Sequence, residues 1–311
     1  MEAKFACINY SLDDVEAIRK EFNINNEERR EEAIRIIEEW LLKQDHLTKK
    51  KYNKRYLEAC IFTSKGSVEA AKTQIDKICT LRTLNPVYFK YTNVLDLGEA
   101  IDKIFMGFAP TLTEERYRLA IIKTKPNISV QASDFVILHT VIIMIAQFLK
   151  VNDYCRGFYV IIDGLDANMT EILAKDDVSE IQKFLPVLTE GLGCKLKGVI
   201  FLTKSKFIET FFGLLKPLLK EKLRKRIHTA SSKERLKEYM PIKNLPEEYG
   251  GFGKPLTELH DDLLQVMTLE STQELLKEMN SAKTDETKRH RDVFNDQYMG
   301  MPGSFRIMTL D

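Results

Sequence analysis

Residues 195–228 read KLKGVIFLTKSKFIETFFGLLKPLLKEKLRKRIH, and the way this stretch folds decides the way the chain folds. Residues 196–203 (LKGVIFLT) form a short apolar run of strand type. From Ser205 the run SKFIETFFGLL has helical length and is apolar almost all round, where a surface helix shows one apolar stripe. The next segment, KPLLKEKLRKRIH, carries six Lys and Arg, and residues 226–230 close the unit as a short strand. A soluble protein exposes an apolar circumference only where something covers it: its own core, a ligand, a partner or a membrane. The plain reading is a buried helix followed by a solvated basic segment. The functional reading is a lipid beneath the helix and an anionic membrane over the basic residues.

The same alternation extends upstream. Residues 117–123 (YRLAIIK) and 156–163 (RGFYVIID) read as strands, and 131–150 and 177–192 as helices. Strand and helix in turn imply an α/β layer with a largely parallel sheet. Residues 11–82 have helical periodicity instead. Ser11 and Asp14 have capping-box spacing, and in NNEERREEAIRIIEEWLLKQ the residues Ile34, Ile37, Trp40 and Leu41 share one face. Gly66 and Ser67 read as a turn leading into a helix cap. Residues 256–277 read as one amphipathic helix, 284–292 as a mobile polar segment, and YMGMPGSFRIMTLD at the end as a tail that docks back.

Composition narrows the classes. The 311 residues suffice for two domains, and 44% hydrophobic with 30% charged residues is ordinary for a globular protein. A net charge of +1 provides no whole-chain attraction to nucleic acid. Cys7, Cys60, Cys79, Cys155 and Cys194 are scattered without a CxxC pair, which suggests neither a zinc site nor a disulfide framework. The N-terminus lacks the pattern of a signal peptide. The apolar run FVILHTVIIMIAQFL, residues 135–149, falls short of the ~20 residues a bilayer needs and reads as a core helix.

Catalytic patterns are missing. YVIID ends in Asp163 like a Walker B strand, but no GxxxxGK[ST] accompanies it. Asp163 and Asp166 could form a carboxylate pair at a strand end, although turn capping explains them more simply. The five histidines show no metal-ligand spacing. The reading is therefore not an enzyme, without a metal or cofactor. His139 and Thr140 interrupt an apolar helix; they either pair within the core or meet the polar end of a ligand.

LPEEYGGFGKPLTEL, residues 245–259, preceded by RIH at 226–228, resembles the closing segment of the CRAL-TRIO lipid-binding family. GFYVIIDGLD, residues 157–166, resembles that family's apolar strand ending in Asp. KLKGVIFLTKSKFIETFFGLLKPLLKEKLRKRIH is similar to its strand, gate helix and basic segment in order and spacing. KGSVEAAKTQIDKICTLRTLNPVYF and the terminal GSFRIMTLD resemble insect members of the branch that includes alpha-tocopherol transfer and cellular retinaldehyde-binding proteins.

The resemblance implies an α/β protein with a helical N-terminal domain (residues 1–90), a lipid-binding domain with a mainly parallel sheet and a mobile gate helix (91–280), and a tail (281–311). It implies a cytoplasmic monomer, peripheral at membranes, that binds and transfers a hydrophobic small molecule of retinoid, tocopherol or carotenoid type. The pocket is then expected to be lined by Phe135, Leu138, His139, Thr140, Ile142, Ile143, Phe158, Val160, Ile162, Phe201, Phe207, Ile208, Phe211, Phe212, Leu215 and Leu218, with His139 or Thr140 orienting the ligand. Lys195, Lys197, Lys222 and Arg226 match basic positions that in this branch meet phosphoinositide headgroups; in the helical domain only Lys65 stands where the branch often has arginine. No buried lysine suggests itself as a covalent partner for an aldehyde. The rival readings are a phosphoinositide-binding regulatory module without transported cargo, and an enzyme acting on the lipid.

Overall fold

The computed structural model describes residues 5–175 and 177–289. Four helices come first: α1 (Leu12–Glu21), α2 (Glu27–Leu42), α3 (Lys54–Thr63) and α4 (Val68–Leu84). The Ser11–Asp14 capping box forms, with the Asp14 amide donating to Ser11 Oγ at 3.1 Å and the Ser11 amide to Asp14 Oδ2 at 2.9 Å. Gly66 adopts φ +80 and lets the chain turn, and Ser67 then caps α4. The buried faces of these helices, including Ile34, Ile37 and Leu41, share one core with Ile143 and Ala146 of the long helix that follows.

Five strands follow in the order in which they occur: β1 (Ile104–Phe108), β2 (Arg118–Thr124), β3 (Phe158–Asp163), β4 (Leu196–Leu202) and β5 (Ile227–Ala230). β1 runs antiparallel to β2, and the other pairings are parallel. β1 is an element the sequence reading lacked. Parallel neighbours taken in order, with right-handed crossovers, place their connecting helices on one face of the sheet. Those helices are α5 (Ala132–Asn152), α6 (Met169–Lys175), α7 (Val178–Pro186), α8 (Phe207–Leu215) and the one-turn α9 (Glu221–Arg224). The other face, carrying Leu119, Ile121, Tyr159, Ile161, Ile200 and Leu202, is covered by Leu236, Met240, Leu245, Tyr249 and Leu256.

Three sequence expectations need correction. The C-terminal amphipathic stretch is two helices, α10 (Leu256–Met267) and α11 (Glu270–Asn280), because Leu269 is extended at ψ 138 and starts the second. Residues 284–289 are pinned rather than mobile: Arg289 spans both oxygens of Asp76 at 2.8 and 3.0 Å, and Thr284 bonds to Thr83. α5 has 21 residues, enough by length and composition to cross a bilayer, although most of it is buried in this fold. Residues 290–311, which include the terminal YMGMPGSFRIMTLD, lie outside the described residues.

Candidate lipid pocket and its basic mouth

β3 is the third of five strands, where both faces of a sheet are normally packed solid. Its residues alternate instead. Tyr159, Ile161 and Asp163 are buried, while Phe158, Val160 and Ile162 are half-buried on the side that α5 and α8 cover. A chamber of about 90 Å³ lies there, walled by Met106, Phe108, Ala120 and Ile122 of the sheet, Ile142, Ile145, Ala146 and Leu149 of α5, and Leu188. Almost every atom it exposes is carbon. Cys194 and Leu196 line both this chamber and a wider cavity of about 430 Å³.

The wider cavity has a different character. Ile181, Leu185, Leu215, Leu219 and Leu223 make its apolar walls, and Lys195, Lys220, Lys222 and Arg226 crowd its edge. Glu190 is the acid among them, paired with Lys220 at 2.6 Å and with Lys77 of α4 at 3.2 Å. Burial works against the Glu190 carboxylate, but its two lysines outweigh burial and hold it below the usual range. Among the described residues, Lys195 has no such acidic partner. Burial, aided by Lys65, Lys150 and Lys222 and opposed by Glu21, pushes its amine down to about 8. The result is an apolar chamber beside a basic mouth, with Cys194 and Leu196 as their shared wall.

α8 lies across this region. Ile208, Phe211, Phe212 and Leu215 are buried against Val130, Phe135, Met169 and Ile172, and Phe212 meets Phe201 of β4 edge-on at 5.0 Å. Its outer face carries Glu209, Thr210, Gly213 and Leu214, so among its apolar residues Leu214 stands out as exposed, at 61%. The apolar circumference inferred from sequence is thus an inward face plus one outward leucine. Moving each buried side chain into water costs about 1.5–3 kcal/mol, so α8 can swing away only where another apolar phase receives it.

The expected residues divide. Ile142, Phe158 and Val160 line the chamber. Leu138 packs beside the core on that side of the sheet, and Ile162 is half-buried in β3. Phe135, Phe201, Phe207, Ile208, Phe211, Phe212 and Leu215 form the α8 cluster. Leu218 has a side chain outside what is described. Ile143 is turned to the N-terminal helices, since α5 packs on two layers and the two sets of residues fall on opposite faces. His139 lies on that far side too, stacked on Phe184 at 4.1 Å, and Thr140 returns its hydroxyl to the Val136 carbonyl at 2.8 Å. Neither lines the cavities above. Burial lowers the His139 imidazole to about 4, despite the opposing charge of Glu180, and its Nδ1 has no hydrogen-bond partner.

Among the basic residues, Lys195, Lys222 and Arg226 meet at the mouth. Lys197 does not. The pairing of β4 with β3 shifts register here, from Leu196 opposite Phe158 to Gly198 opposite Tyr159, and the skipped Lys197 lies over the Tyr117 ring, 3.5 Å from Glu115. Lys65, from the helical layer, is close enough to influence Lys195 electrostatically. Sequence reasoning missed Lys220 and Glu190 at the rim, and also buried Lys150, which donates to Thr63 Oγ1, Gln74 Oε1 and the Leu192 carbonyl. Lys150 closes a long apolar run, where a solvated helix end was the simplest reading. Asp163 and Asp166 do not form a pair: Asp163 accepts from the Leu165 amide and the Tyr249 hydroxyl, and Asp166 pairs with Lys123.

Residues 110–251 match the family model described as the CRAL/TRIO domain, a segment that contains β2 to β5 and α8. No curated protein matches the chain. Among solved structures the chain is similar to one titled "Crystal structure of Sfh5", at 15% identity and a TM-score of 0.47, over 87% of this chain and 98% of that one. The chain therefore carries a CRAL/TRIO domain within a mixed α/β fold that has a helical N-terminal region.

Proposed function

We propose that this CRAL/TRIO domain carries a hydrophobic small molecule of retinoid, tocopherol or carotenoid type and exchanges it at phosphoinositide-containing membranes. The half-buried face of central strand β3, open to a chamber beneath α5, supports the reading most directly. A strand so placed has no reason to leave Phe158 and Val160 loosely packed unless a guest completes the core. α8 acts as the gate. Its inner face leaves the sheet when bilayer can take the sheet's place, and Lys195, Lys222 and Arg226 bring the anionic headgroups that hold the mouth to that bilayer. Residues 1–90 act as a helical domain that braces α5, 91–280 as the carrier domain and 281–311 as a tail. The chemistry is binding and transfer, without turnover.

The test is extraction of the purified chain with organic solvent and mass spectrometry of what is released, followed by transfer of that lipid between vesicles with and without phosphoinositide. A near-stoichiometric apolar molecule and faster transfer to phosphoinositide vesicles are expected. The small size of the chamber and the tight packing of α8 in its own apolar cluster favour a second reading, a phosphoinositide-binding regulatory module. An empty protein that takes up no offered lipid yet binds phosphoinositide vesicles would favour it.

A further inference from the structure

We propose that Lys195 captures a lipophilic aldehyde as an imine at the neck between the basic mouth and the apolar chamber. The inference rests on the carrier reading and deepens it by naming the reactive group of a cargo class. Three cavities meet at Cys194, and Lys195 beside it lines two of them: the mouth, and a smaller space of about 40 Å³ walled by Phe22, Phe62 and Phe158. A molecule whose chain fills the chamber along Val160 and Phe158 brings its terminal group to this neck. There the amine is lightly held. Its nitrogen is 3.4 Å from the Phe62 carbonyl and 4.7 Å from the centre of the Phe22 ring, and among the described residues no carboxylate lies within ion-pair distance of it. The other candidates differ. Lys220 is exposed and paired with Glu190, and Lys150 is fixed by three hydrogen bonds.

The chemistry suits this placement. An amine lowered to about 8 is roughly one-tenth neutral at pH 7, far more than an ordinary lysine. The neutral nitrogen attacks the carbonyl carbon, and a proton passes from nitrogen to oxygen to give a carbinolamine. The C–O bond then breaks as the nitrogen lone pair forms the C=N bond, the nitrogen's remaining proton passes to the departing hydroxide, and water leaves through the mouth. No oxidant or reductant is needed. Anchoring the chain in the chamber raises the local concentration of the aldehyde at the amine.

The full chain would be incubated at pH 7 with hexadecanal, with a polyene aldehyde, or with the matching alcohols, reduced with cyanoborohydride, and read by intact mass and peptide mapping. One adduct at Lys195, of aldehyde mass less one oxygen, is expected, falling at least about tenfold in Lys195→Arg. The aldehyde that traps identifies the cargo as saturated or polyene. Alcohol binding without an adduct, or an undiminished adduct in Lys195→Arg, overturns the imine alone. Failure to bind either alcohol overturns the carrier reading with it. Lys195→Met, which fills the neck without a nucleophile, provides a second variant should the arginine disturb folding.

Discussion

Tyr249 donates its hydroxyl to Asp163 Oδ2 at 2.7 Å, with both side chains buried. Tyr249 belongs to LPEEYGG and Asp163 ends β3, so this bond ties the covering segment to the central strand of the pocket. Asp163 spends its other oxygen on the Leu165 amide at 3.0 Å, which shapes the turn after the strand. Gly251 is required beside this bond because a side chain there would strike the Leu245 carbonyl. Tyr249→Phe leaves a buried carboxylate oxygen short of a partner, and stability should fall by about 1–3 kcal/mol. A urea midpoint that moves by less than the error would show that Asp163 finds water instead.

A second buried pair fixes the other end of the sheet. Arg118 of β2 meets both oxygens of Asp153 at 2.6 and 2.9 Å, and its other amino group reaches the carbonyls of Ala109 and Pro110. The pair is almost fully removed from solvent, at 0% and 1% side-chain exposure. Truncating either partner strands a buried charge, at a cost of about 3–5 kcal/mol. Arg118→Met and Asp153→Leu together should therefore cost clearly less than the two single changes added. Additive losses in thermal or urea unfolding would refute the coupling.

The buried His139 makes stability depend on pH. Burial, opposed by Glu180, lowers its folded value to about 4, from the ordinary imidazole value of 6.5. Between these values the unfolded chain takes up a proton that the folded chain refuses. Stability is thus fully present above about 6.5, declines as pH falls towards 4, and the loss from this group reaches about 3 kcal/mol. His139→Phe keeps the ring against Phe184 and should flatten the dependence in that window. An unchanged slope in urea titrations from pH 7 to 4 would exclude His139 as its source.

The elements legible in the sequence were those whose pattern is local. β3, α5 and β4 are apolar runs with clear ends, and Ser11 and Ser67 announce helix starts. β1 was invisible because IFMGF is short and follows a broken 3-10 turn around Gly98. Lys197 was grouped with Lys195 by spacing in a motif, whereas a register shift between β3 and β4 skips Lys197 and leaves it over Tyr117. Lys195, Lys222 and Arg226 meet at one mouth because β4 and β5 pair side by side, a relation that the motif's order reflects. Glu190 and Lys220 could not be paired from sequence, since 30 residues and two strand ends separate them.

That pair supports the last expectation. Glu190 joins α4, through Lys77, to the segment just beyond α8, through Lys220, and it does so within the mouth where anionic headgroups are proposed to dock. A headgroup phosphate docked there would compete with Glu190 for the same lysines, which would make docking and release of the proposed gate segment one event. Lys220 is largely exposed, which limits the worth of its link to at most about 1 kcal/mol. Glu190→Gln should therefore raise lipid transfer to neutral vesicles by about threefold, the rate equivalent of roughly 0.65 kcal/mol, and narrow the advantage of phosphoinositide vesicles. Lys222→Ala with Arg226→Ala should do the reverse, leaving neutral transfer unchanged and lowering phosphoinositide-dependent transfer, with weaker salt dependence. Equal changes on both vesicle types, measured by fluorescent-lipid transfer at two ionic strengths, would separate the mouth from the gate and refute their coupling.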